Sequence, residues 1–264
     1  MNKYWLIFKT EWQLNLIYRL NFSMWRIRSV LQLLLIYFIW WTVFQSQNEV
    51  FGYTTASILT YVLVAALIRA IVLSTRVMDL MDAISSGNVV NFLIKPLGFV
   101  RYYLARDVAD KLFNVLFYIV EIWLLVLLLN PPIIFQTNIL TLTLFLLSII
   151  GGLAIYFYLN FIIGLFTFWV ESSWGPLFLM MIFLEGFGGG LFPIDILPAN
   201  FYSLLMLTPF PYLIFFPAKI YLGKFGANEI IVNFLIMLLW IIILHLLMKK
   251  LISAGFKHYS AVGN

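Results

Sequence analysis

The chain has 264 residues, 64% of them hydrophobic and 10% charged, with 16 Lys and Arg against 11 Asp and Glu for a net charge of +5. So little charge excludes a large soluble domain, and apolar blocks long enough to cross a hydrocarbon core of about 30 Å make the chain an integral membrane protein. The blocks lack the apolar-out, polar-in alternation of a transmembrane β-barrel, and with no cysteine there is no disulfide framework and no thiolate metal site. The expected fold is all-α, a single polytopic membrane domain over residues 1–264.

At the N-terminus, Trp5, Phe8, Trp12 and Leu16 recur at helical spacing with Lys9, Gln13 and Arg19 elsewhere, and no stretch there is long enough to cross. Residues 1–28 are expected to form an interfacial helix on the cytoplasmic leaflet; a cytoplasmic start to a longer, tilted first helix is the alternative. The segment lacks a small-residue cleavage site after a short apolar core and does not read as a signal peptide. Six apolar blocks follow, over residues 30–44, 53–74, 112–129, 140–170, 174–192 and 230–248, and each is expected to be a transmembrane helix. Trp25, Trp40, Trp41, Tyr53, Trp123, Trp169 and Trp174 fall mostly near block ends, where amphipathic rings favour the headgroup zone.

Basic residues set the orientation. Lys3, Lys9, Arg19, Arg26 and Arg28 precede the first block; Arg76, Lys95, Arg101, Arg106 and Lys111 separate the second from the third; Lys249, Lys250 and Lys257 follow the last. Loops 45–52 and 130–138 carry none, and only Lys219 and Lys224 interrupt the long last loop. Cytoplasmic flanks accumulate Lys and Arg, so both termini are expected inside. The positive charge thus has a topological cause, and no nucleic-acid partner is expected.

The cytoplasmic connection 75–111 is the most informative polar segment. Asp79, Asp82 and Ser86 stand three and four residues apart, on one face of a helix, while Leu80 and Ile84 line another. Ser85-Ser86-Gly87-Asn88 ends that helix and Lys95-Pro96-Leu97-Gly98 makes a second stop. A short amphipathic helix followed by a turn makes a polar knob; its plain alternative is a solvated loop.

Charges inside the spans are costly and mark function by default. Arg69, near the cytoplasmic end of the second block, is expected to snorkel toward the surface. Glu121, mid-way along the third block, is expected to face the interior, where Arg69 is a possible partner. Glu185, just before the glycine run 186–190, is a candidate for lining a path for a cation or for a structural hydrogen bond. Glu171 reads as a solvated charge at a turn.

Beyond those glycines, Pro193, Pro198, Pro209, Pro211 and Pro217 punctuate a segment, 193–228, that is too apolar for open water. Its runs 201–207 and 212–216 are too short to span. They read either as re-entrant helices shielded by protein, forming an extracellular gate with Gly188, Gly189, Pro193, Pro198 and Pro209, or as a cap on the outer surface. No enzymatic constellation competes: His245 and His258 have no carboxylate at ligand spacing, Ser85 and Ser86 have no nearby base, and no metal site is expected.

Ser86-Gly87-Asn88-Val89, then Leu93-Ile94-Lys95-Pro96-Leu97, then Arg101-Tyr102-Tyr103-Leu104-Ala105-Arg106 resembles the first cytoplasmic loop of ABC-2 type permeases of the small six-helix branch found in bacterial ABC exporters. Gly164-Leu165-Phe166-Thr167-Phe168-Trp169 resembles the end of helix four in that branch. The series through Phe192-Pro193, Leu197-Pro198, Pro209-Phe210-Pro211-Tyr212, Pro217 and Leu222-Gly223 resembles its last extracellular loop.

The resemblance implies a non-catalytic permease subunit in the bacterial cytoplasmic membrane. Two such chains, identical or paralogous, would form the pore, with two copies of a separate ABC ATPase binding ATP and Mg. It also implies that the helix at 78–86 is the element that fits the ATPase. Asp79, Asp82, Ser86, Gly87, Asn88, Lys95 and Pro96 would form that coupling loop, Asp79 and Asp82 meeting basic partners and Met78, Met81 and Ile84 supplying apolar contact. No Gly-x-x-x-x-Gly-Lys-Ser/Thr phosphate loop occurs, in keeping with that division of labour. Drugs, lipids and peptides remain open as amphiphilic substrates, and an ATP-independent homo-oligomeric channel or secondary transporter is the rival reading.

Overall fold

The computed structural model describes residues 3–46, 49–94, 98–170 and 173–262. Helix α1 (Lys3–Ile17) is separated by Tyr18 from α2 (Arg19–Val43). Phe51 and Gly52, at φ 54° and 74°, form the two-residue turn of a hairpin between β1 (Glu49–Val50) and β2 (Tyr53–Thr54), the positive-φ pair that matches strand twist. Thr54 and Ser57 then cap α3 (Thr55–Val72) reciprocally, side chain to backbone, in a capping box. The short α4 (Val77–Ser85) and α5 (Asn91–Ile94) lead into α6 (Phe99–Leu129), which stops at Asn130 in the left-handed region, before Pro131 and Pro132.

The Asn138 side chain caps α7 (Ile139–Leu165) through the Thr141 amide at 3.2 Å. After it come α8 (Trp174–Phe187), α9 (Ala199–Met206), α10 (Phe215–Tyr221) and α11 (Ala227–Val262). Apart from the small hairpin the described residues form no other strand, and the chain is an all-α polytopic membrane protein. Among the described residues, five helical stretches are long and apolar enough to cross a membrane: Phe22–Val43, Thr55–Ser85, Phe99–Leu129, Ile139–Phe168 and Ala227–His258. In the most apolar stretch of Thr55–Ser85, 67% of residues are buried, against 11% in Ala227–His258. Helix α3 is therefore the hub, touching α2, α6, α7 and α10.

The expected elements need three corrections. The block 174–192 is helical only as α8, and its 14 residues reach about 21 Å, short of the hydrocarbon core. Gly188 and Gly189 stop it, the latter at φ 82°. The connection 75–111 is mostly helix: α6 begins at Phe99 and at 31 residues is about 46 Å long. The N-terminal segment is not one helix over 1–28, because α2 takes over at Arg19.

The first two helices also follow α6 rather than crossing it. Arg106 donates to Glu11, Asn15 to Asp110 and Arg26 to Glu121, all at a separation of 95 residues. A constant offset across the Tyr18 break means that α1 and α2 run parallel to α6. Trp5, Leu6, Leu16 and Ile17 stay exposed on α1.

The segment 193–228 folds back into the bundle. Residues Tyr212, Leu213, Ile214, Phe215 and Phe216 are all 0% exposed. A Cβ on Gly152 would lie 3.0 Å from the Tyr212 carbonyl, and Gly152 is about 20 Å along α7 from Ile139. Backbone this irregular avoids lipid by being walled in by α3 and α7.

Candidate coupling face, ion pairs and outer cap

Helix α4 packs Val77, Leu80, Met81 and Ile84 into the main core. Its close seat depends on Gly164 of α7, where a Cβ would come within 2.6 Å of Leu80 Cδ2. Met78, Asp82, Ser85, Ser86 and Asn88 remain exposed. Ser86 Oγ donates to the Asp82 carbonyl at 2.6 Å, and Asn88 donates to Ser86 Oγ at 2.9 Å. Gly87 sits between them at φ 79°. Met81 and Ile84 are therefore core residues, unavailable for the apolar contact expected of them, whereas Met78 is 45% exposed. Lys95 and Pro96 lie outside the described residues, as does Glu171.

Asp79 is also engaged within the chain. Arg106 donates to it at 2.5 Å and to Glu11 at 2.6 Å. Glu11, 2% exposed, also takes Arg76 at 2.9 Å, and Arg76 reaches Asp110 at 2.8 Å. Ser74 adds a bond to Asp110 at 2.6 Å. Lys111 donates to the Val72 carbonyl at 2.9 Å and to that of Ser74, and lies 3.4 Å from Asp107. Burial makes unpaired charge very costly, so the alternation of signs is what permits this cluster. It joins α1, α4 and α6 at one end of α3.

At depth, both nitrogens of the Arg69 fork pair with Glu185, Nη2 to Oε2 at 2.8 Å. Arg69 does not snorkel, and its partner is not Glu121. Glu121 belongs to Arg26, whose guanidinium also lies 4.5 Å from the Tyr118 ring. The Arg69 pair lies about 21 Å along α3 from Thr55, where α8 ends. A cation suits the negative end of a helix dipole, and it offsets a carboxylate in the last turn of α8. The glycines let the chain approach: a Cβ on Gly190 would run into Arg69 Nη2, and Tyr61 OH donates to the Gly189 carbonyl at 2.5 Å. Glu185 thus has its charge answered by Arg69.

At the other end of α3, Asp195 is the hub of a cap over the bundle. Tyr53 OH reaches its two oxygens at 3.1 and 3.0 Å, and Lys219 bridges to it at 2.9 Å. Lys219 lies among the rings of Tyr202, Phe215 and Phe225 at 5.4, 5.3 and 4.5 Å. Lys224 covers the Tyr53 ring at 3.8 Å and bonds the Gly52 carbonyl, and burial lowers its ammonium below the ordinary lysine range. Burial and the neighbouring Asp195 push the Tyr53 phenol far up, so it stays the donor. Trp40 Nε1 donates to the Leu191 carbonyl at 3.0 Å; Trp40 and Tyr53 thus pin the cap rather than anchor depth. Of the expected gate residues, Gly188, Gly189, Pro193 and Pro209 are buried, and Pro198 is exposed at the start of α9.

Residues 30–263 match the family model described as ABC-2 family transporter protein. The chain belongs to the ABC-2 transporter family. No curated protein and no solved structure matches it.

The ABC-2 permease therefore has a polar cluster at one end of α3, a capped end at the other and an ion pair between. Glu11 and Arg26 precede the matched stretch. Reasoning from sequence missed Glu11, Arg106, Asp110 and Asp195 as organising residues. For Asp195 a signal existed: it is the lone acid among residues 193–228, which hold just two bases, Lys219 and Lys224. For Glu11 nothing in the N-terminal pattern distinguished it from a solvated charge.

Proposed function

We propose that this ABC-2 permease is the transmembrane subunit of an ATP-driven exporter, crossing six times with both termini in the cytoplasm, and that α4 receives a separate ABC ATPase. The observation that carries the reading is the two-sided build of α4. One side is locked into the core against Gly164, and the other offers Met78, Asp82, Ser85, Ser86 and Asn88. A lever needs this combination of a rigid attachment and a free polar contact face.

Asp79 serves the lever from within. Through Arg106 and Glu11 it ties α4 to α1, so displacement of α4 moves the N-terminal helix as well. The α8 break and the folded-back segment form the outward gate, with the Arg69–Glu185 pair at its inner edge and Asp195 at its outer edge. Broken helices at membrane depth are tolerated where they line a pathway or are buried in protein. The sixth crossing is completed by the chain after Gly188, and α1 lies at the cytoplasmic boundary with Trp5 and Leu6 toward lipid. A second permease, identical or paralogous, completes the pore, and the exported molecule is an amphiphile of the drug, lipid or peptide class.

The chain has no native cysteine, so single-cysteine crosslinking tests the docking face cleanly. Asn88→Cys and Ser85→Cys are expected to crosslink to a co-expressed ABC ATPase, and Met81→Cys is not. Equal crosslinking from all three, or none from the exposed pair, rejects α4 as the docking element.

A further inference from the structure

Behind α4 lies a cavity of about 20 Å³ among Arg76, Tyr103, Asp107, Asn160 and Phe161. Two buried polar atoms on its lining residues lack a hydrogen-bond partner among the described residues. Asn160 is 2% exposed, and its Nδ2 donates to the Tyr156 carbonyl at 2.9 Å. That bond fixes the amide orientation, because a carbonyl only accepts, and leaves Oδ1 as a buried acceptor. Arg76 commits Nη2 to Asn15, Asp110 and Glu11, and its Nε–H is a buried donor. Asp107, 6% exposed, shares the lining and has oxygen lone pairs beyond its contact with Lys111.

The lining chemistry restricts the occupant. A cation would face the Arg76 guanidinium with the Lys111 ammonium behind Asp107, and an anion would face the Asp107 carboxylate and the Asn160 oxygen. A neutral molecule that both donates and accepts fits, and water is such a molecule. Its size fits as well, since a cavity of roughly 10–15 Å³ by this measure holds one water. A buried donor or acceptor left without a partner keeps its full desolvation penalty, so the site gains from being filled.

We infer that this cavity is a binding site for one water molecule, which accepts from Arg76 Nε and donates to Asn160 Oδ1 and the Asp107 carboxylate. The water joins the N-terminal end of α4 to α7 and adds to the direct bonds that Arg76 and Asp79 already make to α6, and Asn160 becomes a positioning residue for the lever. That consequence for transport rests on the coupling reading of α4; the water site does not.

Hydroxyl-radical labelling of the purified full-length permease in ¹⁸O-water tests the site, because bound water delivers the radical to buried neighbours. Tyr103 and Phe161, 5% and 4% exposed, are expected to label several-fold faster than Phe216, which is 0% exposed and does not line the cavity. Asn160→Leu should lower both rates to that of Phe216, and Asn160→Asp, which keeps an acceptor, should not. Labelling of Tyr103 and Phe161 in the wild type no faster than Phe216 overturns the inference, whether or not the variants fold. A permease that labels as expected but binds no ATPase keeps the water site and loses the coupling reading.

Discussion

Arg69 of α3 and Glu185 of α8 meet fork to fork at the point where α8 stops and the glycine backbone begins. The pair fixes the broken end of α8 against the hub helix. It also makes the two charges neutral as a unit.

Removing one partner of a fully buried pair costs about 3–5 kcal/mol, because the other charge is left uncompensated. Glu185 keeps 40% side-chain exposure, so Glu185→Gln is expected to cost about half that. The check is thermal stability of the detergent-purified permease. The swap Arg69→Glu with Glu185→Arg should recover part of the loss, and equal stability of Glu185→Gln and wild type would remove the pair from the account.

Gly164→Val should lift α4 from α7. Its Cβ alone would press on Leu80 Cδ2 at 2.6 Å, and overpacking of this kind costs about 1–3 kcal/mol. In a Met81→Cys background, maleimide labelling of the otherwise buried position is expected to accelerate when Gly164→Val is added. Unchanged labelling would mean that α4 is seated by other contacts.

Asp195→Asn should loosen the outer cap. The substitution removes the charge that holds Lys219 and halves the acceptor set for Tyr53. Leu213→Cys, at a position 0% exposed, is expected to become reactive toward an impermeant maleimide added outside whole cells once Asp195→Asn is present. Reaction only from the cytoplasmic side would reverse the proposed orientation.

The apolar blocks revealed the helices because hydrocarbon demands about 20 apolar residues per crossing: α6 and α11 contain their blocks, and α2, α3 and α7 cover most of theirs. What failed was the end of α8. The block 174–192 stays apolar past Gly188, so hydropathy ran on where backbone conformation had changed. The polar helix at 77–85 was legible from spacing, since Leu80 and Ile84 do face inward. Met81 was not, because a helix nine residues long buries a face wider than one stripe when α7 offers a glycine opposite it. Charge partners were the least legible part. Glu121 lies mid-way along its block, where Arg69 was the partner within reach of a sequence argument, yet the parallel run of α2 and α6 gives it to Arg26, 95 residues away. Pairings of that range depend on helix direction, which a linear pattern does not carry.

The most direct measurement is ATP hydrolysis by a detergent-purified complex of this permease with a co-expressed ABC ATPase, wild type against Gly87→Trp. At φ 79° a side chain at Gly87 carries roughly 1–2 kcal/mol of backbone strain and enlarges the exposed knob. The wild-type chains are expected to purify together, and Gly87→Trp to change hydrolysis and abolish transport while membrane insertion stays unchanged. A permease that purifies alone, binds no ATPase and still conducts solute in liposomes would contradict it.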